Sequence, residues 1–236
     1  MDSTRKQARI AGFLYALIAV TAPIGLIYVP GKLFVIGDAA ATADHIRISG
    51  SLLRMGIASE LFHQTVEVFL VLALYGLFKP VNTSLARQLA ILGLVPIPIV
   101  FLNVLNEIAA LILVSGANFL AVLGKPQLDA WAMFFLRLHS QGLQVAGIFW
   151  GLWLFPFGLL VMRCGFIPKA LGVLLMIAGL GYVLESFTSL ILPRYIDTVG
   201  DVAGILALGE LPIIPWLLIW GATARPSNPT RPSLAR

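Results

Sequence analysis

The sequence predicts an all-α integral membrane protein: a bundle of six transmembrane helices, both termini cytoplasmic, with a short interfacial helix in the first outer loop. Three observations carry that expectation. Hydrophobic residues make up 59% of the chain and charged ones only 11%, where a soluble domain has about 25% charged residues. Mean hydropathy is +0.94. Six apolar stretches each approach or exceed the roughly 20 residues needed to cross a hydrocarbon core, and what remains between them is too short for a separate soluble domain. Residues 1–222 are therefore expected to form one helical domain. Residues 223–236, rich in Pro, Ser and Arg, are expected to be a disordered cytoplasmic tail.

The first span is expected at 10–29, with Pro23 as a kink. The basic stretch before it reads as the flank of a retained helix, because cleavage after Ala22 would leave Pro23 at the new terminus. Residues 31–52 are too many for a turn, and Asp38 caps a short helix there that lies at the membrane surface. The second span, 53–78, ends at Lys79-Pro80. The third, 89–114, has Pro96 and Pro98 early in it, and Gly124-Lys125-Pro126 breaks the loop that follows. The fourth reads as one helix over 128–162. At 1.5 Å per residue it is roughly 50 Å long, more than a core of about 30 Å needs, so its first turns stand outside and pack on 31–52. The fifth covers 170–192 and ends at Pro193. The sixth runs to about 220, with Pro212 and Pro215 inside it.

With the N-terminus inside, ten of the sixteen Lys and Arg fall in inner segments, and this asymmetry sets the orientation. The net charge of +5 therefore belongs to loops and termini and does not point to nucleic acid. The expected location is a bacterial inner membrane. All five Glu lie within spans. Glu60, His63, Gln64 and Glu67 share an arc of about 100° on one helix. Ionisable groups at membrane depth face the bundle interior or a watery cavity, so this stripe is the candidate centre. Glu107, with Asn103 and Asn106 on its stripe, Glu185 and Glu210 fall at similar depth on three other spans. They predict one acidic pocket in the outer half, opening outward. The fourth span offers two faces, one with Arg137, Gln141 and Gln144, the other with His139 and Trp150. Trp131, Trp150, Trp153, Trp216 and Trp220 are expected as interfacial or lipid-facing anchors.

Buried carboxylates without basic partners take up protons or bind cations. The leading expectation is a pocket that binds or transports a cation or a small cationic or amphiphilic ligand, with coupling to protons as one form of it. Membrane lipid is the other expected partner. Two alternatives stay open. A membrane-embedded metal-dependent enzyme would use the i, i+3 pair Glu60 and His63, as helical di-iron bundles do, or add His139 for a zinc-type set; no second Glu-x-x-His is present. A structural or accessory subunit would use the polar groups only to set helix register. No cofactor and no catalytic residue can be named from the residues. Cys164 stands alone, which excludes an intrachain disulfide.

The chain resembles a family of bacterial polytopic membrane proteins known only as domain of unknown function 4386. The resemblance rests on Ala8-Arg9-Ile10-Ala11-Gly12-Phe13-Leu14-Tyr15, Gly37-Asp38-Ala39-Ala40-Ala41-Thr42-Ala43, Leu74-Tyr75-Gly76-Leu77-Phe78-Lys79-Pro80, Leu138-His139-Ser140-Gln141-Gly142 and Gly165-Phe166-Ile167-Pro168-Lys169. It implies the six-helix architecture, marks His139 as a residue to test, and implies no activity.

Overall fold

The structure, a computed structural model, describes residues 2–222; the tail expected at 223–236 lies outside them. All regular structure among the described residues is helical. The elements in chain order are α1 Ser3–Leu33, α2 Ala39–Ile48, α3 Gly50–Phe78, α4 Thr83–Leu113, α5 Lys125–Cys164, α6 Lys169–Ile191 and α7 Pro193–Trp220. All but α2 are long and apolar enough to cross a membrane, so the chain is a multi-pass membrane protein. Helices are the form this composition must take, since in lipid every backbone polar group is satisfied within its own segment. Phe13, Phe69, Leu102, Leu180 and Ile205 are exposed on the outer faces, a surface suited to acyl chains.

Each spanning helix packs on its chain neighbours, and α7 returns to α1, closing a ring of six. Arg9 Nη2 donates to the Ile219 carbonyl at 2.9 Å across that last contact. Proline marks most irregularities, because its ring clashes with the carbonyl four residues earlier and it has no N–H. In α1, Pro23 is followed by a π turn, Ile24–Tyr28, closed by the Val29 N–H on the Ile24 carbonyl. In α4 the path bends at Val95, before Pro96 and Pro98. The continuous helix expected over 128–162 is broken at Trp153, where Pro156 strips the Leu152 carbonyl of its partner. In α7, Pro212 and Pro215 follow a tight turn at Leu208–Glu210 and precede a π turn at Trp216–Trp220.

At the end of the bundle away from α2, Leu70, Leu74 and Phe78 of α3 pack with Leu89, Phe157, Leu160 and Leu175 in a wholly apolar core. Phe78 meets Phe157 edge-on, with centroids 5.7 Å apart. Within lipid this packing gains contact energy rather than water exclusion, so fit decides its strength. The expectation for tryptophan is corrected here. Trp131 and Trp220 are exposed, but Trp153 is buried in this core and Trp150 faces a cavity inside the ring. Both lie on the inward face of α5, one turn apart.

α2 caps the other end. The Asp38 side chain accepts from the Ala41 N–H at 2.9 Å, the expected N-cap. Arg47 bonds Asp44 at 2.7 Å and also the buried Asp129 of α5. Lys125 reaches Asp129 at 2.8 Å and Asp44 at 3.0 Å. The first turns of α5 thus pack on α2, as their excess length predicts. Beneath, Val29, Leu33, Ile46, Leu53 and Leu136 form a second apolar cluster. Hydrogen bonds from Lys125 and then Arg47 hold the Asp44 carboxyl below its ordinary range. A lowered folded-state pKa contributes stability above the unfolded value, about 3.9, and loses it as pH falls through the folded value. Amide protection in α2 should therefore be flat from pH 8 to about pH 5 and fall only below about pH 4. Asp129→Asn should lower that protection about tenfold at neutral pH by taking from Arg47 and Lys125 the buried carboxylate that ties α2 to α5. Hydrogen exchange on the 43–48 amides measures both, and unchanged protection in the variant would show that the ion network does not hold α2.

Candidate functional site

The α3 stripe points inward as its spacing requires: Glu60 and Gln64 are fully buried, and His63 and Glu67 are 3% and 7% exposed. The π turn of α1 brings Gly25 so close to Glu60 that a Cβ there would stand 2.8 Å from Glu60 Cγ. α4 contributes Glu107, fully buried, with Asn103 one turn earlier. α5 contributes His139, 3% exposed. The ambiguity between the two faces of α5 is thereby resolved: His139 looks into the ring while Arg137 and Gln141 lie exposed outside it.

Glu60, Glu107 and His139 converge from three helices. His139 Nε2 stands 3.1 Å from Glu60 Oε2 and 3.9 Å from Glu107 Oε2. One ligand atom from each residue lies within 4.8 Å of the others. Donors about 2.0–2.1 Å from a shared tetrahedral ion stand roughly 3.3 Å apart, so small side-chain rotations complete a coordination triangle. Asn103 Nδ2 donates to the His139 carbonyl at 2.8 Å. Asn106 Nδ2 in turn donates to Asn103 Oδ1 at 3.0 Å. These bonds tie α4 to α5 at the triad. Glu60 Oε1 and both oxygens of Glu107 are buried with no hydrogen-bond partner among the described residues. Arg54 and Arg137 are both exposed and pair with none of these carboxylates.

The other candidates fall elsewhere, so the five carboxylates do not form the single layer their depths suggest. Glu67 and Glu210 sit by a cavity of about 160 Å³. Tyr15 donates to the Glu210 carboxylate, and Tyr182 lines the cavity beside it. His63 lines this cavity, its Nδ1 3.1 Å from the Ser59 carbonyl and its Nε2 3.2 Å from Gln64 Nε2. The Glu60–His63 pairing considered for metal is therefore not the one the fold builds; Glu107 takes the place of His63. Glu185 is half-buried and bonded to Gln144, apart from both groups. The triad is also enclosed under α2 and its apolar cluster rather than open to the outside. Sequence reasoning passed over Tyr15 and Tyr182. The available signal was their mid-span position, since membrane tyrosines usually collect at the interfaces.

Comparison with known proteins adds the lineage. The family model described as domain of unknown function (DUF4386) matches residues 10–221. A protein of Archaeoglobus fulgidus, described as an uncharacterized protein, is 34% identical over 79 residues, which are 34% of this chain and 46% of that protein. The chain thus spans about half the length of this curated relative. No solved structure matches.

Proposed function

The chain belongs to the family described as domain of unknown function (DUF4386), and from its own geometry we propose that it binds a divalent metal cation inside the membrane, held by Glu60, Glu107 and His139. One observation carries the reading: three potential ligands meet within 4.8 Å, and three of their four carboxylate oxygens are buried without a hydrogen-bond partner among the described residues. A purely structural cluster would spend those oxygens on N–H or O–H donors, because an unmade buried bond costs about 1–3 kcal/mol. Two carboxylates and one imidazole, with no sulfur, suit Zn²⁺, Mn²⁺ or Fe²⁺. In the orientation set by the Lys and Arg bias, the site lies in the outer half of a bacterial inner membrane, and the apolar core beyond it seals the cytoplasmic side.

Transport of the bound cation is the finer form of this proposal. The π turn beside Glu60 and the break at Trp153 are the places where such a bundle could open. A metal-dependent enzyme is the second reading, favoured by a three-ligand set that leaves a coordination position for substrate or water. Purified full-length protein, dialysed against Zn²⁺ or Mn²⁺ and analysed for metal, should retain one equivalent. The Glu60→Gln, Glu107→Gln double variant should retain none. Folded wild type that holds no metal would end the proposal. Metal uptake by proteoliposomes then separates carrier from enzyme.

A further inference from the structure

The cavity beside the triad is chemically different from it, and we propose that it is a binding site for an alkylated ammonium group. Aromatic rings of Tyr15, Trp150, Trp153 and Tyr182 form its walls, and Glu67 and Glu210 supply its charge. No Lys or Arg lines it. The Glu67 side chain is 7% exposed, borders the cavity, and makes no hydrogen bond among the described residues. It is a buried acceptor aimed into empty space. Glu210 differs in having the Tyr15 phenol as a donor, so its position is fixed and Glu67 is the carboxylate left to meet a ligand.

The volume and the walls select the ligand. A cavity of about 150 Å³ holds one benzene ring, so about 160 Å³ holds a trimethylammonium head of five heavy atoms. A bare metal ion would find too few oxygens here, and aromatic walls cannot replace its hydration shell. A quaternary ammonium needs neither: its charge spreads over methyl groups that lie against ring faces, which attract it through their negative π clouds. Glu67 supplies the counter-charge. The site shares no ligand atom with the triad, so each can fail without the other.

Choline and 3,3-dimethyl-1-butanol have the same shape and differ in charge. Calorimetric titration of the full chain in detergent should show choline binding at least tenfold more tightly. Trp150→Leu, which removes a cavity wall but no carboxylate, should weaken choline at least tenfold, and Glu67→Gln should reduce the preference for choline over the neutral alcohol. Metal content at the triad should be unchanged in both. Competition by dodecylphosphocholine identifies the source: stronger displacement than by choline itself means a lipid headgroup, weaker means a free cation, and both uphold the site. Equal binding of choline and the neutral alcohol, or no binding of either to folded protein, would overturn it.

Discussion

Glu107→Leu should lower the affinity for a divalent metal at least about 100-fold, since outer-shell partners alone are worth 10–100-fold and Glu107 is a ligand of the proposed site. The same substitution should raise the stability of the metal-free protein. Both oxygens of Glu107 are buried without a hydrogen-bond partner, and an apolar side chain of similar size removes the cost of leaving them so, about 1–3 kcal/mol. The two effects have opposite signs, which a merely structural role cannot reproduce: a residue fixing helix register would leave metal content unchanged and lower the melting temperature. His63→Ala removes no triad donor and should change metal affinity by no more than about twofold. A competing chelator titration against Zn²⁺ and a melting curve without metal give both numbers. If His63→Ala weakens binding as much as Glu107→Leu, the ligand set is wrong.

Gly151→Val should cost about 3 kcal/mol or more, the upper end for an overpacked position. At Gly151 a Cβ would stand 2.7 Å from the Gly179 carbonyl oxygen and 3.0 Å from Tyr182 Cβ, and a Cβ at Gly179 would meet the Gly151 oxygen at 2.7 Å. α5 and α6 therefore cross backbone to backbone, the close approach small residues permit in membranes. No rotamer relieves a clash with main chain, so the helices must separate, and Tyr182 would be pulled from Glu210. Gly76 is the control: nothing lies within 4 Å of a Cβ there, and Gly76→Ala should be neutral or stabilise by about 1 kcal/mol. Thermal or denaturant unfolding in detergent compares them. Equal effects at the two glycines would mean the crossing is not tight.

The spans and their ends were legible because the signals are local. Asp38 caps α2, Lys79-Pro80 ends α3, and the 3.6-residue period places Glu60, His63, Gln64 and Glu67 on one inward face. Partner choice was not legible, because it depends on which stripes of different helices come level. Depth alone put Glu60, Glu67, Glu107, Glu185 and Glu210 in one layer. The ring order of the helices divides them: α3, α4 and α5 bring Glu60, Glu107 and His139 together, while α1, α6 and α7 place Tyr15, Tyr182 and Glu210 around the cavity that Glu67 borders. Rotation of α5 could not be read either, since His139 and Arg137 lie on opposite faces and only packing against α4 decides between them. The closing of α2 over the triad also lay beyond the pattern, which shows the short helix but not where it docks.

That the triad is drawn from three consecutive helices also bears on how the protein is made. α3 and α4 must enter the bilayer before α5 exists, each with a carboxylate for which His139 is still to come. A lone ionised carboxylate at mid-helix raises the insertion free energy by about 2.5–3.5 kcal/mol. The nascent α3–α4 hairpin therefore enters lipid less readily than it would with α5 beside it. Glu210 is synthesised after all of these and meets Tyr15 of α1, so α1 waits for α7 before this phenol has its partner. Chains halted between α4 and α7 should be targets for membrane quality control.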